Sequence, residues 1–394
     1  MTSARKYLCT VLWTTFCLGG MTASLFAAST PRFLYVTDVS GNVVVGFVVN
    51  PTTGALSPNG QAPVATGTRP LKAASDKGGF RLYVSNNNSF NSGSNSVSAY
   101  FINRTNGHIS PVPGTPFKVS RHPWGIAVHP SGKFVYVALS NNAAGDGVEA
   151  FLVNSNGSLS PIAGSPFSTK NDPQNVLIDA TGHYLYAADA ASGFIDAFAI
   201  NQTDGALTPL PGSPDKITFP SSCISGALPQ DISRNPFNNH LYTADAFDNH
   251  ISGYNISSTT GTLTQITGSP FNDFGCNNNT AFNPISVTID GTGKFLYAAN
   301  SEADNIAIYS ILSNGGLKLL KFTANTFGGF CAADVIRTDP SGRFVYTLGM
   351  AKTGCTGGDA VVGYGVNSTT GNLTPITGSP WPNQHANGWI VVTP

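Results

Sequence analysis

Residues 123–139 read PWGIAVHPSGKFVYVAL, and this stretch decides the fold. Pro123 to Val128 is a short run of β-formers, His129-Pro130-Ser131-Gly132-Lys133 has the composition of a turn, and Phe134 to Leu139 is a second aromatic and β-branched run. Outward from it, Val148 to Val153 (VEAFLV) reads as a third strand. Asn154-Ser155-Asn156-Gly157 turns again, and Leu159-Ser160-Pro161-Ile162 reads as an outer edge, where one side makes no ladder bonds and proline is tolerated.

The same order of strands recurs along the chain. The tyrosine of the second strand returns as Tyr35, Tyr83, Tyr136, Tyr186, Tyr242, Tyr297 and Tyr346, at intervals of 48, 53, 50, 56, 55 and 49 residues. About four short strands at such a period form one blade of a β-propeller. The expected fold is therefore all-β, a seven-bladed propeller of four-stranded antiparallel blades. A turn glycine accompanies each unit at Gly54, Gly107, Gly157, Gly205, Gly261, Gly316 and Gly371. The first unit starts at its second strand, Arg32 to Val36, with no inner strand before it. Trp389-Ile390-Val391-Val392-Thr393-Pro394 lines up with Gly125 to Pro130, so the C-terminus is expected to complete blade one and cover two sheet edges.

Residues 1–28 carry Arg5-Lys6, a mostly apolar stretch from Tyr7 to Phe26 and a small-residue end at Ala27-Ala28-Ser29, the order of a secretory leader. Retention as an anchor is the alternative, which Gly19, Gly20 and the threonines weaken. Residues 31–394 then form a single propeller domain, secreted or periplasmic, a monomer with no membrane insertion once the leader is removed. Charged residues are only 10% and the net charge is zero, which argues against a nucleic-acid partner. Beyond the leader stand Cys223, Cys276, Cys331 and Cys355, an even number that in an exported chain reads as two disulfides. Cys223 and Cys276 occupy equivalent blade-linking loops and Cys331 and Cys355 share a blade, so 223 with 276 and 331 with 355 is the expected pairing. No C-x-x-C or Cys/His pair has ligand spacing, so no metal is expected, and no motif asks for a cofactor.

Short turns occupy one face and every insertion falls on the other: Ser85 to Asn95, Pro214 to Leu228, Phe271 to Asn283, Thr323 to Cys331 and Gly349 to Asp359. Irregular loops gathered on one side of a rigid scaffold commonly carry binding sites. Gln174, Gln230, Asp231 and Asp334, near the starts of inner strands, are expected to open onto that channel mouth as ligand contacts. The acid or amide after the second strand (Asp38, Asn86, Asp189, Asp245, Asn300) is expected to bond neighbouring backbone amides and terminate the strand.

His-Pro-Ser-Gly-Lys-Phe-Val-Tyr-Val, the Pro-x-x-(Ile/Val) strand starts and the C-terminal clasp resemble the seven-bladed lactonase-like propellers. That family includes 6-phosphogluconolactonases and carboxymuconate cyclases. Tyr35-Val36-Thr37-Asp38, Tyr83-Val84-Ser85-Asn86 and Tyr297-Ala298-Ala299-Asn300 are similar to the phrase of the Tyr-Val-Thr-Asn repeat propellers. The resemblance implies hydrolysis of a sugar lactone by a histidine, an arginine and a glutamate over the channel. Here those residue types are Arg121, His122 and Glu302, shifted from the family's Pro-Arg-His and Asn-Glu phrases: Arg121-His122 precede Pro123, and Ser301 separates Glu302 from Asn300. The competing expectation is a non-catalytic binding propeller, whose partner is a sugar, a sugar acid or a cell-envelope component.

Overall fold

A computed structural model describes residues 32–88, 94–140, 145–191, 193–218, 228–246, 249–271, 282–323, 331–350, 359–382 and 388–393. The leader, Cys223, Cys276, Cys355 and the centres of the five long loops lie outside these residues, as does the side chain of Cys331. Among the described residues no helix is long and apolar enough to cross a membrane.

Seven antiparallel sheets follow one another along the chain, each running inner, second, third and outer strand. Blade three has Pro123–Val128, Phe134–Leu139, Gly147–Val153 and Leu159–Pro161. Blade one is completed as the sequence predicts: Leu34, Tyr35 and Val36 pair with Val392, Val391 and Ile390. Thr37 N donates to Trp389 O at 3.0 Å and Thr393 N to Phe33 O at 2.9 Å, extending the ladder at both ends. Blade one also touches blade seven through the Arg32–Asp339 ion pair at 2.8 Å.

The core lies between adjoining blades. Leu34, Phe47 and Val49 of blade one pack on Tyr346, Leu348 and Val361 of blade seven, and equivalent clusters recur around the ring. Second-strand tyrosines tie each blade to the next by donating a hydroxyl hydrogen to a turn carbonyl there. Tyr35 reaches Gly107, Tyr136 reaches Gly205, Tyr186 reaches Gly261, Tyr242 reaches Gly315, Tyr297 reaches Gly371, and Tyr346 closes the ring on Gly54, all between 2.7 and 3.0 Å. The Tyr83 hydroxyl is the exception, buried without a hydrogen bond. In the turn between the third and outer strands of blade six the positive φ belongs to Gly315 (82°), so the turn glycine there is Gly315 and not Gly316.

Two local features go beyond the sequence reading. After the outer strand, five blades turn through a cis Thr-Pro or Ser-Pro bond, and in blade three the chain then pairs Phe167–Ser168 back onto Gly147 and Val148. The inner strands of blades two to seven each carry a β-bulge near their start. Pro173 faces Asp189 but Asn175 faces Ala188, leaving Gln174 as the extra residue. Equivalent shifts occur after Pro70, Pro123, Pro229, Pro284 and Ala333.

Candidate functional site

A bulge leaves one residue out of the ladder and re-aims its side chain. Here the residue that follows the last paired position before the bulge (Pro70, Pro123, Pro173, Pro229, Pro284 and Ala333) becomes a channel residue. Leu71, Trp124, Gln174, Gln230, Ile285 and Asp334 occupy that place in blades two to seven, and Gly388 is its counterpart ahead of the clasp. With Lys72, Val335 and Trp389 they line a cavity of about 190 Å³ at the channel mouth. Two of the four tryptophans, two carboxamides, one carboxylate and one ammonium group therefore share a space about the size of one sugar ring. A larger recess of about 240 Å³ lies away from the channel, between the Ser168 to Lys170 segment that leaves blade three and the third strand and outer turn of blade four.

Beneath the mouth sits a buried ionic cluster. Asp231 is fully buried and accepts hydrogen bonds from Asn175 Nδ2 (2.5 Å), Ser286 Oγ (2.7 Å), Val287 N (3.1 Å) and Arg337 Nη1 (2.9 Å). Burial by itself raises a carboxyl's pKa, but here Arg337 and Lys72 outweigh it and hold Asp231 below its ordinary value. Lys72 spans the channel from blade two, donating from Nζ to Gln174 O at 3.0 Å and to Gln230 O at 3.3 Å. Its Nζ is 4.5 Å from the centre of the Trp389 ring, and Arg337 Cζ is 4.1 Å from the same ring. Lys72 is only 8% exposed. Burial, reinforced by Arg337 and opposed by Asp231, lowers its pKa to about 8.

Of the residues singled out in the sequence, Gln174, Gln230 and Asp334 line the cavity. Asp231 lies beneath it, engaged with Arg337 rather than open to the mouth. Arg121, His122 and Glu302 are not among the lining residues. Arg121 and His122 are half-buried on the approach to blade three. The Arg121 guanidinium packs against Gly145, and His122 O accepts from Ser140 N. Glu302 is exposed, with its backbone N on Phe282 O. The expected bonds from strand-end acids and amides to backbone amides hold for Asp38, which accepts from Gly41 N, and Asp189, which accepts from Asn171 N and Asp172 N. They do not describe Asn86, Asp245 and Asn300, whose side chains bond Ser98, Ser252 and Asn305 of the third strand.

Sequence reasoning missed Lys72, Trp124, Arg337 and Trp389. The signal for Lys72 was present: a lone lysine in the otherwise small and apolar strand PLKAAS, at a position where other blades carry Gly125, Asn175, Asp231 and Ser286.

The family model for the seven-bladed β-propeller lactonases matches residues 108–223 and 225–385, most of the ring. The chain belongs to that lactonase family. Among solved structures, a proposed 6-phosphogluconolactonase of Bacteroides fragilis shares 20% identity, with TM-score 0.73 over 93% of this chain and 99% of that one. A periplasmic gluconolactonase of Pseudomonas aeruginosa shares 14% identity, with TM-score 0.70 over 92% of this chain and 99% of the other. At such identities the likeness is one of fold. No curated protein sequence matches significantly. Within this lactonase-family propeller, the described residues hold no group of three or more His, Cys, Asp or Glu able to bind a metal ion.

Proposed function

We propose that this propeller hydrolyses a single-ring sugar lactone in the channel-mouth cavity, with Asp334 and Lys72 as its polar working groups. The observation that carries the reading is their convergence on one small cavity flanked by Trp124 and Trp389. An indole face suits the C–H face of a sugar ring, and the side chains of Gln174 and Gln230 offer donors and acceptors to its hydroxyls. Lactone opening needs a base for water and a positive group for the oxyanion. In this reading Asp334 takes the proton as water attacks the acyl carbon, and the Lys72 ammonium stabilises the tetrahedral oxyanion. Collapse breaks the bond to the ring oxygen, which leaves as a hydroxyl after receiving the proton from Asp334. Arg121, His122 and Glu302 then serve the loops around the mouth rather than the reacting atoms.

The leader-like N-terminus and the likeness to a periplasmic gluconolactonase support an extracytoplasmic site of action. The test is turnover of a panel of aldonolactones by the purified protein, corrected for spontaneous opening. Lys72→Met, Arg121→Ala, His122→Ala and Glu302→Ala are assayed alongside. The expected result is turnover lost in Lys72→Met and retained in the other three variants. Turnover lost with Arg121, His122 or Glu302 and retained in Lys72→Met would move the site away from the cavity. Absence of turnover across the panel, with gluconate still bound, would make this a binding propeller.

A further inference from the structure

We propose that Lys72 is a carbonyl-capturing amine, so that a small hydroxyaldehyde entering the channel-mouth cavity forms an imine at its Nζ. The inference rests on the cavity and its lysine and is independent of lactone hydrolysis.

The geometry around Nζ serves the ammonium and also leaves the neutral amine a way to react. A neutral primary amine has two N–H bonds and one lone pair, and Lys72 has two carbonyl acceptors, Gln174 O at 3.0 Å and Gln230 O at 3.3 Å. With both hydrogens engaged, the lone pair remains for an electrophile. The charged groups facing Lys72 act in opposite senses: Asp231 favours its protonated form, while Arg337, which shares the Trp389 ring, disfavours it. Asp334 is the carboxylate that lines the same cavity. Burial tips the balance, so a substantial fraction of Lys72 is free amine at mildly alkaline pH, where a surface lysine is almost wholly protonated.

The step balances without an oxidant or reductant. The Nζ lone pair attacks the aldehyde carbon, the C–N bond forms, and the carbonyl oxygen takes a proton to give a carbinolamine. The nitrogen gives up its protons to that oxygen, which leaves as water and yields the imine; Asp334, which lines the same cavity, is the carboxylate available there to relay them. A cavity of about 190 Å³ has room for a short hydroxyaldehyde or an open-chain aldose. The aldose is the reduced counterpart of the lactone, so the polar groups that hold one suit the other.

The experiment incubates the full protein with D-glyceraldehyde and sodium cyanoborohydride at pH 8, which reduces any imine to a stable secondary amine, followed by peptide mapping by mass spectrometry. The fall in pKa from about 10.5 to about 8 gives Lys72 roughly a hundredfold more free amine than an ordinary lysine. After allowance for its lower basicity and restricted access, labelling at Lys72 is expected to run about tenfold or more faster than at any other lysine. Lys72→Met removes that adduct alone. Excess gluconate slows labelling if the cavity also holds sugar acids; a lack of protection with Lys72 still labelled would count against the lactone reading only. Labelling of Lys72 no faster than that of the exposed lysines would overturn the proposal. This comparison is made within the wild-type protein, so it stands even if Lys72→Met fails to fold.

Discussion

Asp231 is the residue on which the channel floor depends. It is the buried counter-charge to Arg337 and lies beneath Lys72, so Asp231→Asn leaves two cations facing each other without it. Breaking a buried pair by removing one partner costs about 3–5 kcal/mol, and urea unfolding of Asp231→Asn should show a loss of that size. An unchanged midpoint would mean that the cluster is not holding the blades. The tyrosine latches give a matched comparison. Tyr346→Phe loses the bond to Gly54 and should cost about 1 kcal/mol, whereas Tyr83→Phe, which has no such bond, should be neutral or stabilising. Equal losses in the two would remove the latch from the account. Asp196 supplies a pH test. Burial raises its carboxyl to about 7, and both its oxygens accept from Lys170 N. Its folded pKa lies above the unfolded value, so its protonated form favours folding at acid pH and that contribution is lost as pH rises through about 7. Asp196→Asn should therefore match the wild type near pH 4 and melt higher at pH 8; a melting temperature no higher than wild type at pH 8 would contradict this. Polar residues at the inner-strand starts were legible in the sequence. The roles of Lys72 and Arg337 were not, because each acts across the channel on residues more than a hundred positions away.

At the scale of elements, the turn and strand chemistry read well and the register did not. Blade three formed its four strands within a residue of the expected limits, because β-branched runs bounded by turn residues fix strand and loop together. The bulge at each inner-strand start was not legible, since an inserted residue leaves the alternation on either side intact. Yet that bulge is what turns Gln174, Gln230 and Asp334 toward the channel. The C-terminal strand was legible from its likeness to Gly125 to Pro130, and its pairing places Trp389 at the cavity. Deleting residues after Asn387 removes the inner strand of blade one and the indole against Lys72 and Arg337 together. Such a truncation should melt well below the full chain, and equal melting would refute the clasp.

For the whole molecule, a ring of seven similar blades supplies rigidity, and differences among the blades supply chemistry. Ring closure combines the clasp ladder within blade one with the Tyr346 latch and the Arg32–Asp339 pair on the seam between the first and last blades. The seven-fold repeat made the fold readable, whereas the site arises where the repeats diverge at equivalent positions. If Lys72 acts as the ammonium that stabilises the oxyanion, kcat/KM for a lactone falls as pH rises through about 8, while aldehyde capture by the same amine rises over that range. A lactonase rate that stays level through that range would separate Lys72 from the reaction. The most direct measurement of the central claim is kcat/KM of Asp334→Asn on δ-gluconolactone, with gluconate affinity measured in parallel. The account predicts a fall of about a hundredfold or more with gluconate affinity changed only a few-fold. Wild-type kcat/KM in a folded Asp334→Asn protein would contradict it.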